Sequence, residues 1–355
     1  MDGMMRAQVV AAPGKIELRE IPIPKITEDE VLVKIRYCGI CGSDWAIFTG
    51  KYVPERLPLV TGHEMFGVVA EIGANAKNIN VGDRVAIDIT LPCGACYFCR
   101  RGDGLLCETF EQIGIHTKEM PGGFAEYVKA PWKNIYKVPD EVDDLKAAFI
   151  EPITTTIQAA RRMDAKIASS VVVLGAGLGV LHGAMAKLRG AAPVIIVSGN
   201  RERLRMAKEI CADYIVNYHD TPDVVAEVFR LTGGVGADYV IEAVGTPATY
   251  EQAFRMLRRG GTLESFGICG AGEMMQLDPF QFVLNEKKVM GSCAGIGNDW
   301  GDAITLLKFG RIDPTPLVSM VVPLEELEQA MREIQDSKTI VKVLVSPEAD
   351  KRIVY

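Results

Sequence analysis

The sequence predicts an α/β protein with a β-rich first part and a doubly wound parallel sheet after it. Two textures and one motif lead there. Through residue 155, short β-branched or alternating runs are bounded by Gly, Pro, Asn or Asp, as strands between turns are. From Ser169 onward, strand-like apolar runs alternate with helical stretches, the rhythm of βαβ units. At the start of that series VVVLG runs into the glycine-rich turn Gly175-Ala176-Gly177-Leu178-Gly179.

Taken in order, strands are expected at Ala7 to Val10, Val31 to Tyr37, Phe66 to Ile72 and Arg84 to Asp88, the last fed by the tight turn Val81-Gly82-Asp83. In the second part VVVLG is followed by a helix at 180–189, VIIVS by one at 201–210, YIVNY by one at 222–231, and ADYVIEAVG by one at 248–257, before the strand GGTLESFG. The rhythm weakens after Gly291. Amphipathic patterns at 299–309 and 324–335 predict two more helices, and IVKVLVS closes as a strand returning to the first part. The expected division is 1–155, then 156–291 for the parallel sheet, with 292–355 rejoining the first domain.

Composition narrows the functions. At 355 residues there is enough chain for two real cores. A formal net charge of -7, with no basic block, argues against a nucleic-acid surface. Apolar runs are strand-sized, and the N-terminus lacks a basic region followed by an apolar stretch, so neither a membrane span nor a secretory signal is expected. Nine cysteines are too few for a disulfide scaffold in a chain this long and fit a reducing, cytoplasmic setting.

Four of those cysteines, Cys93, Cys96, Cys99 and Cys107, lie in CGACYFCRRGDGLLC. Thiolates at this spacing in a glycine-bearing loop converge on a tetrahedral Zn²⁺. A closed four-sulfur site is structural, so the chemistry lies elsewhere. Cys38, Cys211, Cys269 and Cys293 are isolated and read as small buried residues.

The turn after VVVLG brings backbone N–H groups to a helix N-terminus, where a dinucleotide pyrophosphate binds. Val180 stands where the third glycine of GxGxxG belongs, and Gly179 arrives one residue early. The second strand should end in an acid for the adenosine ribose; it ends in Ser198, followed by Gly199, Asn200 and Arg201, with Arg203 behind. Without the carboxylate a 2′-phosphate is no longer repelled, which favours NADP(H) over NAD(H). At least one of Arg201 and Arg203 is expected merely to decorate the helix start.

Among four histidines, His182 and His219 fall in the dinucleotide part, where structural or cofactor-wall roles are expected. His63 differs. It precedes Glu64 in TGHEMFG, 22 residues after Cys41 in GICGSD, and Glu151 stands before Pro152. Cys, His and carboxylate suit a catalytic zinc with an open position. No short spacing joins them, so a buried Cys41, a surface Glu64 and a helix-starting Glu151 stay open as the alternative. Ser43 is placed to relay a proton or to cap a turn. Trp45, Ile47 and Phe48 are read as pocket or core.

These motifs together, with VGDRV at 81–85, GGFAEY at 122–127 and Glu151-Pro152, resemble the zinc-containing medium-chain alcohol dehydrogenases over essentially the whole chain. The likeness is to the sorbitol (polyol) and threonine dehydrogenase branch. It implies a GroES-like distorted β-barrel catalytic domain beside a Rossmann-type domain, and two zincs per subunit. Cys41, His63, Glu64 and Glu151 match the catalytic-zinc positions, Ser43 the relay, and the four-cysteine loop the structural zinc. Ser198, Gly199, Arg201 and Tyr218 resemble the surroundings of an NADP phosphate. The family's relay histidine is replaced by Ala46, so a longer relay needs water or the cofactor ribose. The resemblance implies hydride transfer from a secondary alcohol of a polyol, cyclitol or sugar to NAD(P)⁺, by a homotetramer or homodimer. L-threonine 3-oxidation is the rival, and a non-catalytic nucleotide-binding zinc protein the reading from another class.

Overall fold

A strand buried on both faces needs no polar alternation, and Val171–Leu174 and Val194–Ser198 are such strands. In the computed structural model, which describes residues 2–355, they form the centre of a parallel six-stranded sheet. Its order is Tyr214–Asn217, Val194–Ser198, Val171–Leu174, Ala237–Glu242, Leu257–Ser265, Lys288–Gly291. Numbered along the chain this is 3-2-1-4-5-6, with the topological switch point between Val171–Leu174 and Ala237–Glu242. The helices between strands are Gly179–Leu188, Arg201–Ile210, Val224–Leu231 and Pro247–Met256. Three start on side-chain caps: Asn200 accepts from Arg203 N–H, Asp223 from Ala226 N–H and Thr246 from Thr249 N–H. This unit spans Thr155–Ala294.

The other unit joins Met1–Thr154 to Gly295–Tyr355. Its main sheet runs Ile135–Lys137, Arg84–Ile87, Glu64–Ile72, Glu30–Gly39, Lys342–Ser346, Val318–Pro323, Ile353–Val354, with Tyr127–Pro131 also on Glu30–Gly39. The strand Lys342–Ser346, within IVKVLVS, pairs Leu344 with Gly39 and Val345 with Cys38. Val318–Pro323, which no sequence pattern singled out, pairs beside it in parallel. On the other side of the central strand Gly39 faces Glu64 and Cys38 faces Met65. Gly39 thus lies between the strand carrying Glu64 and the strand carrying Lys342. The core beneath gathers Val31, Val33, Ile35, Met65, Val85 and Phe124. Ile47 and Phe48 are buried there as well, and Trp45 packs on Phe48 with ring centroids 5.4 Å apart, so two of the three residues read as pocket or core are plainly core.

Candidate active site and metal centres

Cys41 immediately precedes the short helix Gly42–Phe48. Asp44, wholly buried one turn into it, accepts the Cys41 N–H at 2.9 Å through Oδ2 and the Gly62 N–H at 3.1 Å through Oδ1. One carboxylate therefore ties the Cys41 turn to the His63 turn. Gly62 has φ +96°, and a Cβ there would lie 2.8 Å from Cys38 Sγ and 2.9 Å from Phe124 N, so only glycine fits. His63 follows with Nδ1 3.6 Å from Asp44 Oδ1 and Nε2 3.4 Å from Ser43 Oγ. Burial alone pulls its imidazole pKa down, but Asp44 and Cys41 outweigh it and raise it well above the ordinary value.

Cys41, His63 and Glu64 each turn one ligand atom into a common space, all within 4.8 Å of one another. Glu151, in the first turn of Ile150–Met163, is buried beside them. Burial pushes its carboxyl up to about 7; His63 and Lys342 pull it down, while Glu64 adds to the rise. The donor set suits zinc: a cysteine sulfur, an imidazole nitrogen and buried carboxyl oxygens.

Two partners of this cluster escaped the sequence reading. Asp44 had a signal, since it stands three residues after Cys41 inside the motif already singled out. Lys342 had a weaker one, a lone charge in an apolar strand. It is only 1% exposed, donates from Nζ to Glu64 Oε1 at 2.6 Å and to the Ile40 carbonyl at 2.9 Å, and is ion-paired with Oε2. The pair meets above Gly39, where any Cβ would overlap Glu64 Oε2 and lie 3.0 Å from its Cδ and 3.1 Å from Lys342 Cε.

The four loop cysteines also converge, with Sγ atoms all within 4.8 Å. Cys93 and Cys99 sulfurs are 4.0 Å apart, near the roughly 3.8 Å edge of a tetrahedron with Zn–S of about 2.3 Å. Backbone N–H groups of Ala95 and Cys96 point at Cys93 Sγ from 3.4 and 3.3 Å, and that of Cys93 at Cys107 Sγ from 3.3 Å. The bonds from Ala95 and Cys96 bring the Cys93 thiol down to about 6. Desolvation and the neighbouring thiols drive Cys99 up to about 12.

In the other unit the turn residues Gly175, Gly177, Leu178 and Gly179 stand at the switch point. Gly175 takes φ +109°, and the helix begins at Gly179. A Cβ on Gly179 would sit 3.1 Å from Val173 Cγ1 and 3.5 Å from Ala243 Cβ, so this glycine lets the helix close on the sheet despite Val180 following it. At the end of the second strand the Tyr218 ring covers Gly199, whose Cβ would fall 2.6 Å from Tyr218 Cε2. Ser198 Oγ accepts the Asn200 N–H at 3.3 Å. The two arginines divide: Arg201 is exposed and paired with Asp220 at 2.7 Å, whereas half-buried Arg203 reaches towards the turn, its Nη1 3.9 Å from the Cβ position of Gly177. His182 is buried against the Phe266 ring at 4.1 Å, and burial depresses its pKa to about 3, so it stays neutral as a packing residue. His219 lies against Tyr218.

Among the described residues no helix is long and apolar enough to cross a membrane.

Comparison with known proteins agrees with both halves of the picture. Residues 27–140 match the model of the alcohol dehydrogenase GroES-like domain, and residues 177–308 that of zinc-binding dehydrogenases. A sorbitol dehydrogenase of Bacillus subtilis (strain 168) is 33% identical over 349 residues, covering 97% of both chains. An L-threonine 3-dehydrogenase of Bacillus velezensis is 32% identical over 332 residues, 91% of this chain and 94% of that one. The crystal structure of a zinc-binding dehydrogenase from Sinorhizobium meliloti 1021 bound to NADP superposes with a TM-score of 0.91 at 33% identity, over 97% of this chain and 100% of that one. With two cysteine-bearing clusters on a GroES-like domain and a 3-2-1-4-5-6 parallel sheet, the chain belongs to the zinc-dependent medium-chain alcohol dehydrogenase family.

Proposed function

We propose that this protein oxidises a secondary alcohol of a polyol, cyclitol or sugar to a ketone, passing hydride to NADP⁺ in preference to NAD⁺. The observation that carries this reading is the convergence of Cys41, His63 and Glu64 with Glu151 buried beside them. Cys41, His63 and one of the two acids would hold a catalytic zinc, and Cys93, Cys96, Cys99 and Cys107 a structural one. Zinc, when bound, supplies the Lewis acidity that lowers the pKa of a substrate hydroxyl.

The chain's own residues do the rest. Asp44 orients the His63 ring. Ser43 Oγ, 3.4 Å from His63 Nε2, takes the hydroxyl proton. A bound nicotinamide would supply the acceptor for hydride from the carbinol carbon, and with Ala46 in the relay position the proton would pass on from Ser43 through water or the cofactor ribose. Backbone N–H groups at the start of Gly179–Leu188 would bind the pyrophosphate, and Ser198, Gly199, Tyr218 and Arg203 the ribose 2′-phosphate. Arg201, engaged by Asp220, adds positive charge at the rim. The acid-rich surroundings of the cluster favour a polyhydroxylated substrate.

We also read the protein as a cytoplasmic homo-oligomer, a tetramer before a dimer. All nine cysteines are free thiols. The edge strand Lys288–Gly291 adjoins Pro279–Asn285, whose Phe280, Val283 and Leu284 are 63%, 75% and 61% exposed, an apolar surface suited to a second copy.

The test is an oxidation screen of polyols, inositols, aldoses and threonine with each cofactor, on protein whose zinc and subunit mass have been measured. Two zincs per chain, an oligomeric mass and fastest turnover of a polyol or sugar with NADP⁺ are expected. One zinc confined to the cysteine loop would sink the site assignment, and faster threonine oxidation would replace the substrate. A preference for NAD⁺ above about tenfold, or about 1.4 kcal/mol, would overturn the reading of Ser198.

A further inference from the structure

A site built only for tight metal binding would not give one of its acids to a lysine. Here Glu64 is given to Lys342 completely: both partners are 1% exposed, and the ammonium's reach is divided between the two carboxylate oxygens and the Ile40 carbonyl. Such a pair, removed from water, is costly unless its donors are matched, and Lys342 Nζ donates to Glu64 Oε1 and to the Ile40 carbonyl while lying in ion-pair contact with Oε2. The architecture makes room for it deliberately. Glu64 and Lys342 come from the strands on either side of Glu30–Gly39, and they meet only because residue 39 has no Cβ. The two oxygens are not equivalent. Oε1 receives a directed hydrogen bond, whereas Oε2, though ion-paired, has no hydrogen bond of good geometry and keeps a lone pair for another electrophile.

We propose that Lys342 is a positioning residue that restrains Glu64, presenting a single carboxylate oxygen to the metal and thereby keeping a coordination position open for the substrate. The proposal rests on the reading of Cys41, His63 and Glu64 as a metal site. Without the ammonium, Glu64 swings free and offers both oxygens, so the metal is held more tightly and its open position closes.

The experiment uses the full-length protein with zinc retained in the cysteine loop and cobalt(II) exchanged into the other site. Lys342→Met should bind that cobalt at least about tenfold more tightly in chelator competition. Its visible d–d absorption should weaken, the signature of an added oxygen ligand. In a Glu64→Gln background the same change should shift affinity by less than about threefold, because the two side chains act as a unit. Lys342→Gln keeps amide donors for Glu64 and Ile40; it carries the same prediction at smaller amplitude if the methionine variant does not fold. A loss of thermal stability with unchanged cobalt affinity and spectrum, or weaker cobalt binding, overturns the proposal, since a merely structural lysine would give that result. Wild-type protein that takes up no second metal fails the site reading itself. Wild-type protein that takes it up, with variants that bind it identically, fails only the role of Lys342.

Discussion

The two cysteine-bearing clusters of this protein are built in opposite ways. Cys93, Cys96, Cys99 and Cys107 come from one loop of fifteen residues, held by its own backbone N–H groups and a two-stranded ribbon, Thr90–Leu91 with Glu111–Gln112. Cys41, His63, Glu64, Glu151 and Lys342 come from four separate stretches spread over three hundred residues, brought together by a sheet. The first cluster has almost no apolar core of its own: Cys93 is exposed, Cys96 and Cys99 are half-buried, and only Cys107 is buried. The second is walled by core on every strand it uses. On the reading of both as metal sites, the local cluster would need its metal to order the loop, whereas the assembled one would already be held by the sheet.

The largest expected effect tests the assembled site. On the proposed reading, Cys41→Ala takes a metal-binding sulfur from a cavity that the sheet already holds, so turnover should fall by at least about a thousandfold, some 4 kcal/mol of barrier. The thermal midpoint should move by only a few degrees. Steady-state kinetics and calorimetry on one preparation decide it; a variant that unfolds while active residues persist would reverse the assignment. Cys96→Ala tests the local site. It should lose the loop's zinc and several kcal/mol of stability, yet the molecules that remain folded should turn over within a few-fold of the unaltered protein. A Cys96→Ala protein that stays fully stable but inactive would break the contrast.

That contrast also explains what could be read from the sequence. The cysteine loop was legible because its geometry is carried by spacing within one segment. The parallel sheet was legible because each of its units repeats a period in order. The assembled cluster was visible only as residue types, and nothing local states that Gly39 must lie between Glu64 and Lys342; that is a fact of strand order. Asp44 and Lys342 were passed over for the same reason, since a buried charge is recognised by its partner and the partner lies far along the chain. Val318–Pro323 was missed because its residues are buried almost throughout, leaving no polar alternation to read, and it follows directly on the 3₁₀ turn Thr315–Leu317.

The proposed cofactor end lies between these extremes, with its glycine turn local and the residues read as phosphate contacts gathered from two strand ends. Ser198→Asp would restore a carboxylate beside the ribose position while leaving the Tyr218 ring on Gly199 undisturbed. The ratio of kcat/KM for NADP⁺ to that for NAD⁺ should fall by about tenfold to a hundredfold, or roughly 1.4–2.8 kcal/mol. An unchanged ratio would mean that Ser198 does not face the 2′ position, and that selection rests with Arg203.

The smallest effect separates two buried acids that look alike in sequence. Glu64 has Lys342; Glu264, on the strand Leu257–Ser265 and wholly buried, has only the Ser292 hydroxyl on Oε1 and nothing on Oε2. Burial therefore raises the Glu264 carboxyl to about 7, against a pull downward from Ser292 and the more distant Arg162. An acid whose pKa is raised by folding binds its proton more readily in the native state. Its penalty on stability is absent below the ordinary carboxylate range, grows as pH rises through the interval up to about 7, and is complete above it. Glu264→Gln keeps the shape and removes the charge. It should stabilise the protein by about 1–2 kcal/mol in mildly alkaline buffer and by almost nothing near the ordinary carboxylate pKa. Thermal midpoints of the two proteins across that range would show the gap opening with pH; a gap of equal size throughout would mean that Glu264 is already neutralised by a partner, as Glu64 is by Lys342.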